Sequence, residues 1–338
     1  MKKILLSVAI WGGLLANAQT YTVNDTIAAG DSETFYVADS NAVDYATTTG
    51  TGVTWDYGSL FTYAGTESLD TIKNASDSPD FGDFSMADYH DDLAGGASNY
   101  FTNYEDSVLS YGYKFFLDGN IVKIMHNIDP LKMMSLPMSY GDTFSDSTYG
   151  VAEVFGNNAS TEGDVVVTAD GTGELILGST TISNVIRIKL VETIGATIDF
   201  LGQTASGTVN RTVYSYYDLA NQSMPVFIHA SISVNSNLFN GGYTAVYSSV
   251  NLEGASIGEE LSASEISIYP NPADNIVTIS APEGTQTLTI LNAIGQSIQT
   301  IDNPGATNSI DVSEFQTGIY FIQVVKGDAK ITKKLFVK

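Results

Sequence analysis

The chain has no cysteine, which removes disulfide staples, thiolate chemistry and a lipid anchor on a cysteine, so its stability must come from packing. Basic residues are scarce: 14 lysines and arginines stand against 38 acids, a formal net charge of −24. Residues 1–18 hold two of the lysines, and residues 265–338 hold five lysines and seven acids. Residues 19–264 are left with seven basic residues and 31 acids, so the whole deficit lies there. Neutralising phosphates needs clustered Lys and Arg, so this balance excludes a nucleic-acid partner. Histidine is limited to His90, His126 and His229 without an H-E-x-x-H pattern, and there is no Walker loop or dinucleotide fingerprint. Gly254 to Gly258 fits the bare spacing of a serine-hydrolase elbow, but no histidine follows it and its polar surroundings read as linker. After Leu15 no apolar run approaches the length of a transmembrane helix, so no membrane span is expected in the mature chain.

What the sequence does have is an export start and a great deal of strand chemistry. Lys2 and Lys3 precede an apolar run from Ile4 to Leu15, and Ala16, Asn17 and Ala18 form a small-residue cleavage pattern, so residues 1–18 read as a Sec signal peptide. Residues 19–254 read as an acidic β-rich region, either whole or as two subdomains, 19–139 and 140–254, and residues 255–264 as a linker. Strand-like runs cover 143–155, 163–169, 173–177, 184–193, 208–218, 224–234 and 243–250. Asp118 to Asn120, Asp170 to Gly173 and Asn240 to Gly242 carry hairpin residues. Ile186, Ile188 and Leu190 alternate with Arg187 and Lys189, which predicts one apolar and one polar face. Arg187, Lys189 and Arg211 are expected in ion pairs with nearby acids rather than as a small basic face, Trp55 as a core anchor, and Leu131 to Met138 as a short helical or irregular crossing whose methionines fill gaps. The expected fold is all-β: an antiparallel meander forming a curved sheet, barrel or sandwich, followed by a small immunoglobulin-like β-sandwich.

That last module rests on residues 265–338. Ile266 and Ile268 alternate before Pro270, Asn271 and Pro272; Gly295 marks a central turn; Gly318, Ile319 and Tyr320 open a strand; Lys330, Lys333 and Lys334 precede Val337. In this order the block resembles the C-terminal sorting domain carried by cargo of the type IX (Por) secretion system of Bacteroidetes. The resemblance implies recognition by that machinery and its sortase, delivery to the cell surface or medium, and a sorting signal at Pro270, Asn271, Pro272, Gly295, Gly318, Tyr320, Lys333 and Lys334. Within residues 130–250 the order LPMSYGDTFSDS, GTGELIL, NVIRIKLVET and TVYSYYDLANQSMPVF is similar to a β module frequent in secreted Bacteroidetes proteins with the same tail; it implies no activity.

The best candidate site in the main region is ionic. Asp80, Asp83, Asp88, Asp91 and Asp92, with Asp77, lie in a short stretch without Lys or Arg, and oxygen donors of this kind suit calcium, although the spacing is not that of an EF-hand. A solvated acidic loop explains the same residues. Three triplets, Asp25-Thr26-Ile27, Asp70-Thr71-Ile72 and Asp106-Ser107-Val108, resemble the acceptor motif of Bacteroidetes O-glycosylation. Two functions stay open: a non-catalytic binding, adhesive or structural module with a glycan or protein ligand, and a polysaccharide-acting hydrolase whose carboxylate pair the sequence does not identify.

Overall fold

The computed structural model describes residues 19–40, 48–93, 97–117, 120–154, 156–200, 203–236, 240–252, 266–293, 295–326 and 329–338. The signal peptide at 1–18, the linker at 255–264 and the Gly254 to Gly258 stretch lie outside the described residues.

Alternating burial carries the main region into strands almost throughout. In chain order these are β1 (Thr20–Tyr21), β2 (Ser32–Ala38), β3 (Gly50–Tyr57), β4 (Ser68–Thr71), β5 (Lys73–Asn74), β6 (Tyr89–Asp92), β7 (Ser98–Asn103), β8 (Ser107–Leu117) and β9 (Asn120–Asp129). They continue as β10 (Leu131–Ser135), β11 (Met138–Ser139), β12 (Thr143–Val154), β13 (Asn157–Leu177), β14 (Thr180–Phe200), β15 (Gln203–Asp218), β16 (Phe227–Ser236) and β17 (Asn240–Ser248). β1 pairs with β11, and the others form one 15-stranded sheet. From β12 to β17 each strand is antiparallel to the next, which is the expected meander.

The ends of this sheet decide its shape. β2 pairs with β17, and β4 with β2. On the other side β9, β8, β7, β6 and β5 follow from β12. The path therefore starts at β4 and finishes at β5, two strands separated in the chain only by Ile72. The sheet curves until both ends reach one stretch of chain, but among the described residues the ladder does not close into a barrel.

Two local expectations are corrected. Leu131 to Met138 is not helical but mostly strand: β10 pairs with β8, with a register shift at Lys132/Met134, and β11 pairs with β1, because these residues complete ladders formed by distant strands. Asp170 to Gly173 is not a hairpin, since β13 passes through it as a single 21-residue strand with register shifts at Ala169/Gly171 and Gly173/Leu175. The glycines serve close approach instead. β3 runs parallel to the second half of β13, and a Cβ on Gly173 would fall 1.8 Å from the Val53 carbonyl oxygen, one on Gly171 2.5 Å from the Trp55 ring.

One face of this meander is buried along much of its length, and the other is buried where β3 joins the sheet. Its concave side packs Val165, Val167, Ile186 and Ile188 against Phe35 and Tyr247. On the other face β3, lying beside β13 in the sheet, packs Trp55 and Tyr57 with Leu175, Tyr216 and Phe227. Trp55 is thus a core anchor, and Arg187, on the same side as Trp55, is 0% exposed. It forms a bidentate pair with Asp170 at 2.6 and 3.0 Å, donates to the Tyr216 hydroxyl at 3.2 Å, and lies 5.2 Å from the Trp55 and Tyr214 ring centres. A buried cation is tolerated when it is paired and bonded in this way.

The tail contains β18 (Ser267–Tyr269), β19 (Ile276–Ser280), β20 (Thr287–Asn292), β21 (Ser297–Asp302), β22 (Thr307–Asp311), β23 (Gly318–Lys326) and β24 (Ala329–Val337). A three-stranded sheet, β18-β19-β22, and a four-stranded one, β21-β20-β23-β24, enclose Val277, Ile279, Leu288, Ile290, Ile322 and Leu335. This is the small sandwich expected from the alternation.

Candidate functional site

The concave side of the large sheet encloses a cavity of about 230 Å³. Its wall is mainly apolar, with Phe35, Ile188, Val213, Ile228 and the rings of Tyr217 and Tyr247 among the lining residues. The polar groups fall into two sets. Asp70 on β4 and Asp91 on β6 come together from the two strands near the ends of the sheet, and both line the cavity.

Asp70 is 2% exposed, and neither of its oxygens makes a well-aligned hydrogen bond, although the backbone N–H groups of Asp92 and Thr71 lie near it. Asp91, 9% exposed, is held by Asn99, whose backbone N donates to Oδ1 at 2.7 Å and whose Nδ2 lies 3.0 Å from each carboxylate oxygen. Burial pushes Asp91 up to about 8, with the Asp70 charge adding to it, and the bonds from Asn99 only partly offset this. Burial likewise pushes Asp70 up to about 6, although nearby backbone N–H groups of Asp92 and Thr71 favour its charged form. Near neutral pH the pair therefore holds about one proton between its two carboxyls. Burial also raises the Tyr217 and Tyr247 phenols, so both remain neutral there.

The second set centres on Arg211 of β15. Its Nε donates to Glu192 Oε2 at 2.8 Å, the Tyr113 hydroxyl donates to the same oxygen at 2.9 Å, and the guanidinium lies 3.8 Å from the centre of the Tyr113 ring. Arg211 Nη2 is buried without a partner, as is Asn103 Oδ1 on the same cavity. His126 has its Nε2 3.6 Å from Glu192 Oε1, and burial lowers it to about 4, so it stays neutral beside this ion pair.

The acidic stretch takes its cations from other strands. Asp80 lies 2.6 Å from Lys114 and 3.0 Å from Lys123, Asp83 lies 2.6 Å from Lys123, and Asp92 lies 3.1 Å from Lys73. Asp91 turns into the cavity, and Asp77 and Asp88 are exposed. Among the described residues no group of three or more His, Asp or Glu side chains comes together to hold a metal ion. Asp70, which the sequence placed only in a glycosylation-like triplet, and Glu192, which reaches the cavity through its bond to Arg211, were not singled out as binding residues by sequence reasoning. The available signal was an acid at an inward position of an alternating strand, which many of the 31 acids share.

In the tail the structure places the expected signal residues as follows. Asn271 clamps the terminal strand: its Nδ2 donates to the Lys334 carbonyl at 2.9 Å, and its Oδ1 accepts from the Phe336 N–H at 2.8 Å. Next to it Ala273 N donates to the Phe336 carbonyl at 2.8 Å, and Lys338 N to the Ala273 carbonyl at 2.9 Å. The corner containing Pro270 and Pro272 is thereby fixed to the end of the chain. Lys333 Nζ donates to the Ile266 carbonyl at 2.6 Å, and Tyr320 packs on Phe315 with ring centres 5.1 Å apart. Gly318 opens β23 opposite Val337, and Gly295 adopts φ +81° in the turn between β20 and β21.

The family model described as the secretion system C-terminal sorting domain matches residues 267–338. Residues 267–338 are a type IX sorting domain. No curated protein and no solved structure matches the chain. The sorting domain implies interaction with the type IX secretion machinery, and export followed by secretion or attachment at the cell surface. Its Asn271 clamp joins the proline corner and the terminal strand, two parts of the motif far apart in sequence. No helix among the described residues is long and apolar enough to cross a membrane.

Proposed function

We propose that residues 19–254 form a non-catalytic binding module, delivered to the cell exterior by the sorting domain, that takes a small ligand in the cavity of its curved sheet. Entry to the periplasm is assigned to the signal peptide at 1–18, and recognition and removal of the tail to the machinery and its sortase. The observation that carries the binding reading is the set of polar atoms left without partners around one apolar cavity: the Asp70 carboxylate, Asn103 Oδ1 and Arg211 Nη2. Each costs about 1–3 kcal/mol of lost hydration. A ligand that bonds them recovers that cost and gains the apolar wall.

The Asp70 and Asp91 pair also supports a second reading, a polysaccharide-acting hydrolase, because two acids with raised pKa face one cavity lined by tyrosines. Against it stand the deep burial of Asp70 and a cavity volume below the usual range of about 300–1,000 Å³ for ligand pockets, little room for a sugar chain. The secreted protein should be screened for saturable small-ligand binding and for sugar release from polysaccharides. Binding without release is the expected result. Sugar release that disappears in Asp91→Asn overturns the binding reading in favour of the hydrolase.

A further inference from the structure

The charges around the cavity do not balance. Arg211 and Glu192 cancel one another at 2.8 Å. The nearby lysines are committed elsewhere, Lys114 to Asp80 at 2.6 Å and Lys73 to Asp92 at 3.1 Å. Asp70 and Asp91 are left with no cation in contact among the described residues, and Asp70, 2% exposed, makes no well-aligned hydrogen bond and has only the backbone N–H groups of Asp92 and Thr71 near it. The groups around them are phenols and an amide: Tyr217 from β15, Tyr247 from β17 and Asn99 from β7, and Asn99 is already committed to Asp91. Aromatic faces attract cations, and a desolvated carboxyl pair favours a group that brings both positive charge and several N–H donors. An alcohol supplies one donor and no charge; a carboxylate would meet repulsion.

Size restricts the ligand further. An engineered cavity of about 150 Å³ accommodates benzene. The cavity here, at about 230 Å³, has room for one ring and a short arm. Resting on the cavity-binding reading above, we propose that the ligand is a small organic cation, an amine with a compact apolar body, whose ammonium group binds between Asp70 and Asp91 while the body lies against Phe35, Val213 and Ile228.

Three probes of one shape and different charge test this on the full secreted protein: phenethylamine, phenethyl alcohol and phenylpropanoate, titrated by calorimetry at neutral pH. The amine is expected to bind at least about tenfold more tightly than the alcohol, since a tenfold gap corresponds to about 1.4 kcal/mol. Asp70→Asn should remove most of that gap. Equal binding of amine and alcohol overturns the cation proposal and leaves the cavity reading standing. Tightest binding by phenylpropanoate also overturns it and makes Arg211 the anchor. Binding by none of the three overturns both readings. The wild-type comparison decides the matter even if Asp70→Asn fails to fold, and Asp91→Asn provides a second variant with the same expected loss.

Discussion

The raised Asp91 carboxyl makes the stability of the main region fall with rising pH, and Asp91→Asn should remove that fall. The folded protein holds this proton up to about 8, while an unfolded chain releases it near 3.8. Between those values the native state binds more protons than the unfolded state, so the free energy of unfolding decreases as pH rises. His126 acts in the opposite sense. Burial lowers it from 6.5 to about 4, so its contribution grows as pH rises through that interval and is constant above it. The clean window therefore runs from about pH 6.5 to about pH 8. One carboxyl contributes at most about 1.4 kcal/mol per pH unit, so the wild type should lose about 2 kcal/mol across this window. The measurement is urea unfolding at several pH values with linear extrapolation. In Asp91→Asn the slope should be nearly flat, and in Asp70→Asn reduced, because the charge that helps raise Asp91 is gone. Wild-type stability that is flat or rises over this window would refute the assignment of a buried, proton-holding pair.

Other consequences concern packing and the tail. Arg187→Met leaves Asp170 partly buried without its cation and should cost about 3–5 kcal/mol, whereas Arg187→Met combined with Asp170→Asn should recover most of the loss; thermal unfolding of both reads this out. Gly173→Ala drives a Cβ into the Val53 carbonyl and should separate β3 from β13, detected as a changed Trp55 fluorescence maximum in the mature protein together with a lower melting temperature. Asn271→Ala removes two hydrogen bonds to the terminal strand, which should destabilise the tail by roughly 1–3 kcal/mol and lower the amount of secreted protein measured by cell fractionation. Deletion of residues 267–338 should retain the protein inside the outer membrane; secretion at normal levels would contradict the role of the sorting domain.

Local patterns carried much of the architecture. Alternation at period two set the strands of the meander from β12 to β17, and the ordered motifs from Pro270 to Val337 identified the tail, because both signals are contained in short stretches of chain. The same locality misled at Asp170 to Gly173, where hairpin residues served a neighbouring strand more than 110 positions earlier, pairing Gly171 with Gly50. The stretch from Asp77 to Asp92 contains no lysine, yet Lys114 and Lys123 reach it from β8 and β9.

By itself, then, the sequence determined most strands of the β12 to β17 meander, the acidity of residues 19–264, and the sorting domain at 267–338. The tertiary structure alone decided which acids matter. Asp70 and Asp91 resemble the other acids of residues 19–264 until curvature brings the two ends of one sheet to the same stretch of chain. There, removal from water raises both carboxyls, and desolvation depends on what the rest of the molecule places around a side chain.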